Sequence, residues 1–217
     1  MEEKKLKTKV IRPKFDTDLD IIELSKEKIE DESIFSFGTV SDCCLENHEA
    51  DRVNFKQVIF TKVIFNKITF RRIEMTDVRF ENCDLSNVDF NEASLHRVEF
   101  VNCKIIGINL SETTFRDVIF ENCNGQFAFF NYSDCKQVAF LECQLRSSDF
   151  QNSKLLKVEF RESNMLGAQM NYTSLKGIDF TSCNIEGMGV NIADVKGARV
   201  TTTQAVSLSS ILGLIIK

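Results

Sequence analysis

Val53-Asn54-Phe55-Lys56-Gln57-Val58-Ile59-Phe60-Thr61-Lys62-Val63-Ile64-Phe65-Asn66-Lys67-Ile68-Thr69-Phe70 returns phenylalanine at every fifth position, with Val or Ile two residues before each one. The frame continues without insertion or deletion through Met75, Phe80, Leu85 and Phe90 to Phe180, Ile185, Val190 and Val195. Gly125 is the one non-apolar centre of this run, Cys135 being counted as a small hydrophobe. The second series, two residues before each centre, holds from Val53 to Ala198. Apart from Met188 its members are Val, Ile, Cys, Ala, Ser or Thr.

A period of five fits neither a helix, which repeats at 3.6, nor a strand, which repeats at 2. Taking every fourth centre reveals a larger unit. Phe60, Phe80, Phe100, Phe120, Phe140, Phe160 and Phe180 form one column, and Cys43, Cys83, Cys103, Cys123, Cys143 and Cys183 form another. Four pentads per turn predict an all-β, four-sided parallel β-helix, in which the backbone groups of each coil pair with the coils above and below. The two apolar series point inward. Gly107, Gly167, Gly177, Gly187 and Gly197 fall two residues after a centre, where a corner can demand left-handed backbone angles. At ~4.8 Å between strands, roughly eight coils give a rod of about 40 Å.

The frame begins in degenerate form at Ser33, with Phe35, Val40, Leu45 and Ala50 at the centres and Gly38, Cys43 and His48 in the second series. Residues 33–200 therefore form the rod. Residues 1–32 differ in composition and read as an N-terminal cap or arm, with a short helix over 16–29 that uses Leu19, Ile22 and Ile29. After Val200, Thr201-Thr202-Thr203 supplies N-cap residues, Ala205, Leu208, Ile211 and Leu212 make a helical stripe, and Gly213 is placed to stop it. The apolar tail Leu214-Ile215-Ile216 follows. An open β-helix end exposes strand groups and core, so residues 201–217 either cap the rod or join it to another.

Composition narrows the function. A formal charge of -5 lacks the basic excess of a direct DNA or RNA binder. The charged N-terminus has no secretory apolar core, and no segment approaches the ~20 apolar residues of a membrane span, so a cytoplasmic location with reduced thiols is expected. Stacked cysteines point the same way rather than at one another, which suits disulfide geometry badly and favours small buried residues. The sequence holds no glycine-rich phosphate loop, no His-Glu-x-x-His and no Cys-x-x-Cys. Its two histidines, His48 and His96, sit on a second-series and an outer position. A non-enzymatic protein without cofactor or metal is expected.

Side assignment separates the charges. Outward positions on the Phe-column side hold Glu81, Glu99, Glu121, Glu142, Glu159, Glu162 and Asp179, against Lys62, Arg79 and Arg161. The side centred on Met75 carries Arg97, Arg116, Lys136, Lys154, Lys157 and Lys176, diluted by Glu74, Asp77, Asp117 and Asp134. An acidic stripe of this kind suits a basic groove on a partner. Midway along the rod, Gly125-Gln126-Phe127-Ala128-Phe129-Phe130-Asn131-Tyr132 leaves one centre empty and puts Phe127 and Phe129 on outward positions. Phe127 is expected to fold in and fill the gap; the alternative is an exposed aromatic patch.

Cys83-Asp84-Leu85-Ser86-Asn87, Val88-Asp89-Phe90-Asn91-Glu92 and Ser148-Asp149-Phe150-Gln151-Asn152 resemble the pentapeptide repeat family, and the resemblance covers about three quarters of the chain. It implies a right-handed quadrilateral β-helix. The ending, Val195-Lys196-Gly197-Ala198-Arg199-Val200 followed by Gln204-Ala205, Leu208 and Leu212-Gly213-Leu214-Ile215-Ile216, is similar to that of Qnr-type and MfpA-type members. By that resemblance Leu208, Ile211, Leu212, Leu214, Ile215 and Ile216 would join two rods end to end in a homodimer. The acidic side would then face DNA gyrase or topoisomerase IV as a DNA mimic that protects against quinolones. A scaffold for another protein partner is the competing expectation.

Overall fold

The computed structural model describes residues 8–213. Ten parallel strands account for its regular structure: β1 (Asp20–Ile21), β2 (Ile34–Ser41), β3 (Cys44–Asp51), β4 (Asn54–Thr61), β5 (Ile64–Arg71), β6 (Glu74–Glu81), β7 (Ser94–Val101), β8 (Thr114–Glu121), β9 (Asp134–Leu141) and β10 (Lys154–Arg161). One sheet runs in the order β1-β2-β4-β6-β7-β8-β9-β10, and β3 pairs with β5 in a second. From β2 to β10 the partners in the first sheet are twenty residues apart, as in Phe60↔Phe80 and Phe80↔Phe100. Beyond β6 the other walls are tight turns tied by single bridges such as Asp84↔Lys104 and Asp89↔Asn109. The result is a parallel β-solenoid of about seven turns. The long sheet ends at β10, and past it Asp179↔Arg199 is a single bridge.

The two apolar series fill the interior. Rings from Phe60 to Phe160 stack 4.7–5.1 Å apart with planes 2–6° from parallel. Phe130 and Phe150 of the next wall but one meet that stack edge-on at 81–89°. Both are favoured aromatic geometries, and each buried ring adds ~2–3 kcal/mol of burial. Rungs of this kind stabilise their neighbours in one dimension.

The second series explains why Cys, Ser and Thr interchange. Cys123 and Cys143 donate from Sγ to the Phe100 and Phe120 carbonyls at 3.3 and 3.4 Å, and Ser163 donates to Phe140 at 3.3 Å. On another wall Ser153 and Thr173 donate to Phe130 and Phe150 at 2.8 and 2.7 Å. Each is small enough for the inner wall and satisfies a carbonyl there. The cysteines are free thiols. Burial pushes the Cys135 thiol up to about 12.

Every corner from Glu32 to Tyr172, two residues after a centre, has φ between 50° and 68°. For residues other than glycine that conformation costs ~1–2 kcal/mol. It persists because the corner N–H is tied to the next coil, as Asn82 N to the Val101 carbonyl at 3.0 Å and Asn102 N to Glu121 at 2.9 Å.

The two ends are closed differently. The helix expected over 16–29 does not form. Instead β1 pairs with β2, Ile22 N donates to the Thr39 carbonyl at 2.9 Å, and a 3-10 turn spans Leu24–Lys26. Gly38 permits this approach, since a Cβ there would lie 2.4 Å from Ile22 Cδ1. Leu24 and Ile29, the buried apolar residues of this segment, cover the core at the first coil. At the far end α1 (Thr202–Leu208) starts in a capping box between Thr201 and Gln204, continues as a 3-10 turn over Ser209–Leu212, and stops at left-handed Gly213. No helix among the described residues is long and apolar enough to cross a membrane.

Candidate protein-interaction surface

Residues 8–16 run along the outside of the rod, against the direction in which the coils advance. The backbone N–H groups of Thr8, Ile11 and Lys14 donate to carboxylates of Glu159, Asp117 and Asp77 at 3.0, 2.9 and 2.9 Å. Asp16 N then donates to Gln57 Oε1 at 2.9 Å, and Gln137 Nε2 donates to the Lys9 carbonyl at 2.9 Å. Three residues of this strap thus pass two coils. Two coils rise ~9.6 Å and three extended residues span ~10 Å, so the segment is stretched out.

In an extended chain alternate side chains share a face. Val10 packs on a small apolar cluster of Ile119, Ala139 and Leu141, and Arg12, on the same face, places Nη1 2.7 Å from Glu99 Oε1. Arg79 approaches the other Glu99 oxygen at 2.9 Å. Lys9 and Lys14 remain exposed. Asp77 also binds Arg97 through two contacts of 2.6 Å. Burial pushes the Asp77 carboxyl up, but Arg97 and the Lys14 N–H outweigh it and hold it below the usual carboxylate range.

The strap and the corners divide the seven acids assigned to the Phe-column side, Glu142 and Glu162 being left-handed corners with φ of 54° and 51°. Glu99 and Glu159 keep only 3% and 7% of their side-chain surface exposed, which overturns their expected presentation to solvent. Glu81 and Glu121 are half-buried, Glu142 and Glu162 are exposed, and half-buried Asp179 accepts from Thr181. The period cannot show a segment that has no period of its own. The strap's other partners, Gln57, Asp77, Asp117 and Gln137, share one corner column with Arg97 and Lys157; that column of polar side chains was the readable signal.

Phe127 does not fill the gap at Gly125. Ile105 and Leu145 from the adjacent coils do, reaching within 3.3 and 3.1 Å of where a Cβ would stand. Phe127 is 56% exposed, and Phe129 and Tyr132 beside it are exposed as well. Phe127 and Tyr132 are both left-handed corners, with φ of 60° and 58°.

At the C-terminal end Gln204 Nε2 donates to the carbonyls of Phe180 and Cys183 at 2.9 and 2.8 Å, closing two backbone acceptors of the last coil. Leu208 and Ile211 are half-buried against the core, whereas Leu212 is exposed. With Ile192, Val195, Ala198 and Val200 they line an open apolar hollow of about 250 Å³. Leu214, Ile215 and Ile216, also expected at a dimer contact, lie outside the described residues. Among the described residues no group of three or more His, Cys, Asp or Glu converges to hold a metal ion.

Three family models match the chain: pentapeptide repeat region over residues 73–150, pentapeptide repeats over 143–187, and the SV2A/B/C luminal domain over 26–110. No curated protein matches. Among solved structures the chain is similar to HetL, a pentapeptide repeat protein involved in heterocyst differentiation regulation from the cyanobacterium Nostoc sp. strain PCC 7120. The identity is 13%, the TM-score 0.51, and the match covers 81% of this chain and 90% of HetL. It is also similar to trypsin-treated QnrB1, a plasmid-mediated fluoroquinolone resistance protein, at 18% identity and a TM-score of 0.43, over 87% of this chain and 99% of that one. At 13% identity the likeness to HetL concerns the fold. Repeat length, rung geometry and family models agree, and residues 73–187 of this chain are pentapeptide repeats.

Proposed function

We propose that the protein is a non-enzymatic, homodimeric scaffold whose outer walls bind a protein partner. The observation that carries this reading is the exposed group of Phe127, Phe129 and Tyr132. Phe127 and Tyr132 hold large aromatic side chains at strained left-handed corners, Phe129 is exposed between them, and none of the three belongs to the core, so their use lies on the surface. Replacing Phe127 and Phe129 by serine in the full chain and repeating capture of partners tests this. Loss of a captured protein at unchanged stability supports it, and an unchanged set of partners removes this patch from the reading.

A type II topoisomerase, DNA gyrase or topoisomerase IV, is the specific partner favoured by the acids on the Phe-column wall. With Glu99 and Glu159 beneath the strap, this reading rests on Glu81, Glu121, Glu142, Glu162 and Asp179. The apolar hollow at α1 supports pairing of two rods through Leu208, Ile211 and Leu212. A supercoiling assay with each purified enzyme, with and without a fluoroquinolone, decides it. Inhibition or protection at micromolar protein is expected; no effect on either enzyme removes the topoisomerase and leaves the scaffold.

A further inference from the structure

The strap is bound as a peptide ligand is bound. In the described residues its backbone contributes no rung to the solenoid between Thr8 and Asp16, and the groups that hold it are side chains of the wall. Backbone N–H donors are common to every residue but proline, so those contacts set a register without demanding a sequence. Sequence enters at two points on one face: Val10 on Ile119, Ala139 and Leu141, and Arg12 on Glu99. The groove therefore asks for an extended segment with an apolar residue and an arginine two positions apart. Its acids, Asp77, Glu99, Asp117 and Glu159, outnumber by one the wall arginines paired to them, Arg97, Arg79 and Arg161, and so favour a basic segment. The strap meets this with Lys9, Arg12 and Lys14.

The strap is also weakly held for its length. One small apolar contact, the Arg12–Glu99 pair and a few part-buried or exposed hydrogen bonds place it at the low-stability end of the molecule, where local opening is cheapest. Glu159 Oε1, buried at the start of the groove, has Arg161 Nη1 at 3.7 Å but no hydrogen-bond partner among the described residues. A ligand that supplies one more donor there has an advantage over the strap.

We propose that this corner is a binding site for an extended basic peptide segment of a partner protein, filled in the resting molecule by the chain's own residues 8–16. The strap is then a resident competitor, and a partner binds by taking its place. The proposal rests on the scaffold reading but not on the choice of topoisomerase: the supercoiling assay can fail while the groove binds peptide, and the reverse.

The test uses the full chain and a fluorescein-labelled peptide of residues 8–18, followed by anisotropy. The full-length double variant V10D/R12E loosens the strap and leaves the groove intact. It should bind the peptide at least tenfold more tightly than the unmodified chain. Adding E99Q and D117N to that variant should weaken binding at least tenfold. No binding to the double variant, equal affinity in both chains, or indifference to E99Q and D117N would each overturn the proposal. Amide exchange of the unmodified chain checks it independently. Ile11 and Lys14 should exchange at least tenfold faster than rung amides such as Phe100, and protection equal to the rungs would make the strap a fixed part of the fold. If light scattering shows a dimer that V10D/R12E dissolves, the occupant is a second copy's strap and the proposal falls.

Discussion

Arg12 and Glu99 lie 87 residues apart in sequence, and Nη1 of the first stands 2.7 Å from Oε1 of the second. Glu99 is buried and Arg79 holds its other oxygen, whereas the Arg12 side chain is half exposed. The two partners should therefore respond unequally to removal. Arg12→Ala is expected to cost about 1 kcal/mol, since Glu99 keeps Arg79 and solvent screens the lost contact. Glu99→Ala should cost about 2 kcal/mol, because Arg12 and Arg79 both lose a charged partner there, Arg79 keeping Glu81 at 3.3 Å. Denaturant unfolding measures both, and equal losses would contradict this picture.

Acid should loosen the strap's middle. The folded Asp77 carboxyl titrates below its unfolded value of about 3.9, so its contribution is complete above that pH and is lost as pH falls through the folded value. Asp134, held low by Arg116, acts in the same direction. Stability should be flat between about pH 7 and 5 and fall below about pH 4. Asp77→Asn should flatten part of that fall and speed exchange of the Lys14 amide, its hydrogen-bond donor. An unchanged acid limb in Asp77→Asn would assign the fall to other groups.

The rungs were legible because every coil repeats one packing problem. Phe100 must sit between Phe80 and Phe120, and only the twenty-residue register allows it. The strap posed the opposite case: Thr8 finds its partner 151 residues away at Glu159, and nothing in residues 8–16 repeats. The spacing of Leu19, Ile22 and Ile29 fits a helix only in isolation from the open end of the rod, which instead recruits Leu24 and Ile29. Phe127 lies outside the core for a related reason. A glycine at a centre looked like an empty space, but the neighbours that fill it, Ile105 and Leu145, lie a full coil away.

Phe127→Ser should therefore shift stability by less than about 0.5 kcal/mol, as expected of an exposed side chain. Gly125→Leu should destabilise by about 1–3 kcal/mol, because Ile105 and Leu145 already occupy that volume and the larger side chain overpacks it. Thermal or denaturant unfolding of the two variants is enough, and a large loss in Phe127→Ser would return that ring to the core.

Thiol reactivity should divide the eight cysteines by exposure. Cys44 is exposed, Cys43 is half-buried, and the other six are buried, with Cys135 pushed up to about 12 by burial. Iodoacetamide at mildly alkaline pH should modify Cys44 first and Cys43 slowly, leaving the remainder untouched until the chain is unfolded. Mass spectrometry of the native and unfolded protein reads this directly. Rapid labelling of Cys103 or Cys123 in the native protein would mean that the rungs open more easily than their stacking implies.

The end of the rod needs two variants, because one residue closes it and another offers the dimer contact. Gln204 satisfies the Cys183 carbonyl and shares the Phe180 carbonyl with Cys183 N, so Gln204→Leu leaves one acceptor unpaired and should cost about 1–2 kcal/mol while the last coil frays. A chain ending at Thr203 would lose that closure together with any dimer contact, so its oligomeric state alone cannot separate the two. Leu212 is 55% exposed at the mouth of the apolar hollow and makes no such closure. Leu212→Asp should therefore keep the stability of the single rod while converting a dimer to a monomer in light scattering, since a carboxylate in an apolar interface is costly to desolvate. A Leu212→Asp protein that stays dimeric at full stability would place the contact between copies elsewhere on the rod.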